Sequence, residues 1–164
     1  MTNATAPDFD ALTGDLPGFL FVDHIAIAVP RGTLDAQVAA WGLLGFREIH
    51  REEIRGTDHV REVLLRIGQG PNLIQLIEPL SAESPVQKAI DRNGGRGGLN
   101  HVGLRVRNAE AAYAHLKAQG FQIIDAAPRP GSRGTTVFFI HPKSRPDAPF
   151  QVLIEVVEDP ADPR

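Results

Sequence analysis

Two stretches of this 164-residue chain alternate apolar and polar positions in the same way: VDHIAIAV at 22–29 and LNHVGLRV at 99–106. Alternation of this kind predicts strands with one buried face. A segment with apolar residues at helical spacing follows each, then Gly-Phe and another apolar run: VDHIAIAVP…LDAQVAAWGLLGFREI over 22–49 and LNHVGLRVR…AEAAYAHLKAQGFQII over 99–124. His24 and His101 are 77 positions apart, and Gly45-Phe46 and Gly120-Phe121 are 75 apart. So regular a displacement marks an internal repeat. Two further strands close each half: VREVLLRI (60–67) and NLIQLIEPL (72–80) in the first, TTVFFIH (135–141) and FQVLIEVVE (150–158) in the second. Each half therefore reads β-α-β-β-β, an α+β pattern. RPGSRG (129–134) and PKSRPDAP (142–149) read as loops from their Gly and Pro content.

Local signals agree with these elements. Leu34, Val38 and Trp41 form a helical stripe, Thr33 is placed to cap it and Gly45 to stop it. Asn108 and Gly120 take the same roles in the second half. Between the halves, SPVQKAIDRNGG predicts a linker helix over 84–94: Ser84 with Gln87 fits a capping box, Pro85 suits the first turn and Gly94 the end. The expected organisation is a loosely held arm over 1–19 and one domain over 20–158. That domain comprises module 1 (about 20–80), the linker helix and module 2 (about 98–158), with a frayed tail over 159–164.

The faces of the strands carry the chemistry. Val22, His24, Ala26 and Ala28 share one face of the first strand, and Asp23, Ile25, Ile27 and Val29 the other. The bulky set suits packing under a helix, and the small neighbours of His24 leave space. His101 likewise shares its face with Gly103. Gln75 and Glu155 fall at matching places in the closing strands of the two halves. Taken singly, each has an ordinary reading: a hydrogen-bonded histidine, a half-buried amide, an ion-paired carboxylate. A carboxylate in an apolar strand is nonetheless costly without compensation, and four such residues occupy repeat-equivalent places. If the concave faces of the halves converge, His24, Gln75, His101 and Glu155 would surround a divalent ion. Two imidazoles, an amide oxygen and a carboxylate suit a borderline-to-hard metal such as cobalt, manganese, nickel or zinc. Four protein donors leave a position open for substrate. The pattern does not decide whether the halves pair within one chain or across a dimer. Glu62 is a solvated strand residue, or a general base if it points into the same cavity. His50, His59 and His115 read as surface residues and His141 as a strand end.

Composition narrows the class. The net charge of −3 gives no reason to expect nucleic acid or a membrane surface as partner. The absence of cysteine excludes disulfides, a thiolate nucleophile and a Cys–zinc site. The first residues lack the basic start and apolar core of a signal peptide, and no apolar run approaches membrane-spanning length, so a cytoplasmic protein is expected.

VDHIAIAVP, LNHVGLRV, REVLLRI, IQLIEPL, ESPVQKAIDRNGGRGGLNH and FFIHPKSRPDAPFQVLIEV, in that order, resemble the vicinal oxygen chelate superfamily of glyoxalases, ring-cleaving dioxygenases, epimerases and drug-binding proteins. Within it the resemblance is closest to methylmalonyl-CoA epimerase and covers roughly 20–158. It implies two tandem βαβββ modules forming a curved mixed sheet around a metal site, and a homodimer. The family's ligands fall on His24, Gln75, His101 and Glu155, its catalytic base on Glu62, and Glu155 doubles as second acid/base. The implied reaction is 2R/2S interconversion of methylmalonyl-CoA through an enolate. Two departures stand out: the loop after HPKS is longer, and Asn100 replaces the first of two adjacent histidines. A glyoxalase-type isomerase would use the same donors. An iron dioxygenase would need only His24, His101 and Glu155, and a drug-binding module none. Arg129, Arg133, Lys143 and Arg145 are loop cations within reach of coenzyme phosphates by composition, although solvated charge is the ordinary reading of each.

Overall fold

The computed structural model describes residues 16–145, 147 and 149–162. The first half contains β1 (Phe19–Ala28), α1 (Leu34–Leu43), β2 (Arg47–Ile54), β3 (Val60–Arg66) and β4 (Leu73–Pro79). The linker helix α2 (Pro85–Arg92) leads to β5 (Gly98–Val106), α3 (Ala109–Ala118), β6 (Arg129–Pro130), β7 (Thr136–Ile140) and β8 (Leu153–Glu158). The strands form one curled, mixed sheet in the order β2-β3-β4-β1-β5-β8-β7-β6. β1–β4 and β5–β8 are parallel and the remaining pairs antiparallel. The halves therefore pair within the chain, edge to edge through β1 and β5, related by an approximate twofold.

Helix packing assigns the faces of the sheet. Leu34, Val38 and Trp41 of α1 pack with Val63, Leu65 and Leu76 on the outer face, and Ala109, Ala112 and Leu116 of α3 pack with Val106, Phe138 and Val156. Helix α2 instead places Val86 and Ile90 against Ala26, Ala28, Val60 and Ile77, on the inner face that carries His24. It closes one end of the concavity. No helix among the described residues is long and apolar enough to cross a membrane.

Several local expectations change. Thr33 stands at the N-cap of α1, but its hydroxyl donates to the Pro30 carbonyl (2.6 Å). Glu78 Oε2, from β4, accepts the Thr33 and Leu34 N–H groups instead, both at 2.9 Å. Ser84 caps α2 through the Val86 N–H, while Gln87 reaches forward to Asp91 and leaves the capping box half made. Asn108 caps α3 as expected, accepting from the Ala111 N–H at 2.8 Å.

In module 2 the run at 121–124 forms only a bridge, Ile123 to Ile140. Asp125 Oδ2 takes the Phe139 N–H (2.7 Å), a bond that a continuing strand would make through backbone, and Tyr113 Oη donates to the Asp125 and Ala126 carbonyls. Such side-chain bonds compete with a ladder. Arg129–Pro130, expected as loop, becomes the edge strand, where the missing proline N–H costs nothing. β8 begins at Leu153 because Gln151 adopts φ 65°. Asp159 and Asp162, in the tail read as frayed, lie 3.5 and 3.8 Å from the Arg105 guanidinium.

Gly103 stands opposite His24 at the junction of the halves. A Cβ there would lie 2.4 Å from His24 Cε1 and 2.5 Å from Nδ1, so only glycine leaves the ring its place. Gly103→Ala is expected to displace the imidazole and to cost about 1–3 kcal/mol by overpacking, measured by urea unfolding. Glu78→Ala leaves two helix-terminal N–H groups without their acceptor. A loss of about 1–2 kcal/mol in the same measurement is expected, larger than that of Thr33→Ala.

Candidate functional site

A cavity of about 560 Å³ occupies the concave face, lined from both halves by His24, Glu62, Gln75, His101 and Glu155 among others. Its centre forms at a bulge. On β1, Val22 pairs with Leu104 and His24 with Gly103, the adjacent residue of β5, so Asp23 between them is extra. A bulge of this kind breaks alternation. Asp23, placed by strict alternation on the outer face, instead lies with His24 and is fully buried.

Three donor atoms converge. His24 Nε2 is 3.0 Å from His101 Nε2 and 2.9 Å from Glu155 Oε2, and His101 Nε2 is 3.5 Å from the same oxygen. The other ring nitrogens are engaged outward: His24 Nδ1 donates to Asp23 Oδ1 and His101 Nδ1 to Asn100 Oδ1, each at 2.8 Å. A carboxylate can only accept there, and an amide oxygen likewise, so each bond places the proton on Nδ1. Two imidazole nitrogens and a carboxylate oxygen are thus aimed at one point, an arrangement that requires positive charge between them. Burial lowers the affinity of His24 for a proton, but hydrogen bonds to Asp23 and Glu155 overcome this and raise its pKa to about 9. Burial acts to raise Glu155, yet His101 and His24 hold it far below the usual carboxylate range, while burial pushes His101 down. A proton shared by the cluster is one cation that answers the convergence.

A divalent ion is another, and the donor set fits one. The three atoms form a group able to hold a metal ion. Their separations approximate the edge of about 3.0 Å expected between adjacent ligands at ~2.1 Å from a six-coordinate ion. Gln75, on β4, lines the same cavity with Oε1 buried and without a partner. Its Nε2 donates to Glu62 Oε2 at 2.7 Å.

Glu62 is no surface carboxylate: it is 2% exposed, and its Oε1 also lacks a partner. Burial raises its pKa; the Ser132 hydroxyl opposes this, the charge of Glu155 adds to it, and Arg133 and His24 oppose it. On β2, His50 and Glu52 form a second group with Glu62, with His50 Nε2 3.0 Å from Glu52 Oε2. His50 is thus half-buried near Glu62, where the sequence placed it on the surface.

Of the four loop cations, Arg129 is held by Asp58 and Asp125, Arg145 by Asp147, and Arg133 lies near Asp23 and Asp159, while Lys143 is exposed. Arg129 also stacks over Phe139, whose ring meets His101 edge-on at 5.4 Å. Sequence reasoning set Asp23 on the outer face, noted Asn100 only as a departure from two adjacent histidines, and gave neither of them nor Arg105 a part in the site. The available signal was the polar residue directly before each repeat histidine.

Similar proteins share this architecture. The human mitochondrial methylmalonyl-CoA epimerase is 28% identical over 142 residues, 86% of this chain and 77% of the relative. An ethylmalonyl-CoA/methylmalonyl-CoA epimerase of Cereibacter sphaeroides is 30% identical over 124 residues, 74% of this chain and 88% of the relative. A Streptomyces coelicolor methylmalonyl-CoA epimerase in complex with 2-nitronate-propionyl-CoA superposes with a TM-score of 0.77 at 30% identity, covering 87% of this chain and 96% of that one. The family model for the Glyoxalase/Bleomycin resistance protein/Dioxygenase superfamily matches residues 23–139, from the bulge that carries His24 to the strand beneath His101, and the chain belongs to that superfamily.

Proposed function

We propose that this chain is a methylmalonyl-CoA epimerase that interconverts the 2R and 2S thioesters by moving the α-proton. The observation that carries this reading is the pair of buried carboxylates that enter one cavity from opposite halves of the sheet, Glu62 on β3 and Glu155 on β8. Epimerisation needs a group to remove a proton from one side of a carbon and a group to return one from the other. The epimerase relatives support the substrate class.

Glu62 is the base. Gln75 Nε2 fixes its Oε2 and leaves Oε1, buried and without a partner, to accept the α-proton. Glu155, in the other half, is the second acid/base: it would return to the α-carbon a proton that it takes up from solvent, and Glu62 would release the abstracted one to solvent. His24, Gln75, His101 and Glu155 would hold a divalent ion, with cobalt, manganese, nickel and zinc all compatible. Bound there, it would supply Lewis-acid stabilisation of the charge that develops on the substrate's oxygens as the proton leaves. Asp23 and Asn100 keep the two imidazoles aimed inward, and the inner wall formed by Ile77, Val137 and Phe139 excludes water from the carbanion. The reading extends to a homodimer acting in the cytoplasm.

Metal-loaded protein incubated with methylmalonyl-CoA in deuterated water is expected to incorporate deuterium at the α-carbon, followed by NMR; protein that leaves that proton untouched would refute the epimerase reading. Glu62→Gln is expected to slow this exchange by about 10²–10⁴-fold while retaining metal, whereas His101→Ala loses both. Because the base must be unprotonated and burial raises Glu62, the acid limb of kcat/KM should lie above 4.5, the ordinary value for a glutamate. Activity then falls as pH drops through that raised value, and the limb should be absent from the residual rate of Glu62→Gln.

A further inference from the structure

Behind His24 lies a set of buried and half-buried charges of which the proposed chemistry uses only Asp23. Asp23 presents Oδ1 to His24 Nδ1 and Oδ2 to Arg105 Nε, both at 2.8 Å. Arg105 is 4% exposed and lies over the Phe21 ring. It also faces the C-terminal segment, with Nη2 3.5 Å from Asp159 Oδ2 and Nη1 3.8 Å from Asp162 Oδ2. Arg133 completes the set, 3.6 Å from Asp23 Oδ1 and 3.8 Å from Asp159 Oδ2. Both arginines are therefore shared between Asp23 and Asp159.

Asp23 Oδ1 is contested. His24 Nδ1 holds it at 2.8 Å, and the Arg133 guanidinium stands 3.6 Å away. Arg105 Nη1 and Arg133 Nε are buried without a hydrogen-bond partner, so each guanidinium has donor capacity to spare. In a dry interior an unpaired charge is costly, and a cation that loses one carboxylate moves onto the next. Asp159 is the carboxylate that gives both cations an alternative to Asp23.

We infer that Asp159 is a positioning residue for His24: by drawing Arg133 toward the C-terminal segment, while Arg105 stays on Asp23 Oδ2, it leaves Asp23 Oδ1 to the imidazole and so keeps His24 Nε2 aimed into the cavity. The role of His24 as a metal donor rests on the epimerase reading; the orientation of its ring does not. Removing the Asp159 charge lets Arg133 close on Asp23 Oδ1, and His24 loses the bond that fixes its ring.

Two readouts test this on the full chain. NMR of ring-labelled histidine follows the low-field His24 Nδ1–H proton in metal-free protein, and calorimetry follows the affinity for manganese or cobalt. Asp159→Asn, with its fold verified by circular dichroism, is expected to shift or abolish the His24 signal and to weaken metal binding by about 10–100-fold, the range for loss of an outer partner of a ligating histidine. Asp159→Glu should restore both. Adding Arg133→Met to Asp159→Asn removes the competing cation and should also return the His24 signal. That rescue separates positioning from a general loss of stability, and it supplies a folded variant should the single one unfold. An unchanged His24 signal in Asp159→Asn, or a double variant no closer to wild type than the single, would overturn the inference. Wild-type protein that binds neither ion would refute the metal reading alone, with the NMR comparison still deciding the role of Asp159.

Discussion

The structure depends on the antiparallel contact between β1 and β5. It is the seam of the duplicated fold and also the floor of its cavity. At this seam two histidines from opposite halves bring their Nε2 atoms to 3.0 Å. No sheet would place two imidazole nitrogens and a carboxylate oxygen so close without something cationic to hold them, because three acceptors repel one another. The local sequence accommodates the crowding. Ala26 and Gly103 are the inward-facing residues beside the imidazoles, and at Gly103 even one carbon would strike the His24 ring. The small side chains of these strands make room for donor atoms.

The elements around the seam each hold one part of the site. α1 and α3 anchor the outer face, so the inner face is free to be polar. α2 closes one end of the cavity through Val86 and Ile90. β4 contributes Gln75, whose amide lies between two roles: its nitrogen holds Glu62, and its buried oxygen has no partner. That amide therefore ties the carboxylate on β3 to the cluster at the seam. A change at Gln75 would be felt at both.

Much of this was legible in the chain. Alternation placed the strands that carry His24, Glu62, Gln75, His101 and Glu155, and the 77-residue displacement identified which polar residues answer one another. What periodicity cannot encode is a break in itself. The bulge at Asp23 turns an outward position inward, and nothing in the alternation of 22–29 marks the extra residue. Glu62 was ambiguous for a related reason: alternation gives its face but not whether that face is covered. Arg133 and the tail aspartates are loop and terminal residues by composition, and only the long-range fold brings them to Asp23. The strand expected at 121–124 was lost to Asp125, a side chain that competes with backbone from outside the predicted element.

The repeat is informative where it fails. By register, Leu64 lies opposite Gln75 and Phe139 opposite Glu155, and two residues further along each closing strand Glu62 meets Ile77 while Val137 meets Val157. Val137 is thus the counterpart of Glu62 in module 2. A symmetric site would carry a carboxylate at both places, and two buried acids would oppose each other's ionisation without gaining a partner. Instead module 1 supplies a carboxylate on β3 and an amide on β4, while module 2 supplies an apolar side chain on β7 and a carboxylate on β8. Each half offers one acid, displaced by one strand. The two acids therefore approach the cavity from unequal directions, and on the epimerase reading they would stand on the two sides of the substrate's α-carbon. The duplication provides the convergent seam, and the divergence between the copies provides the sidedness.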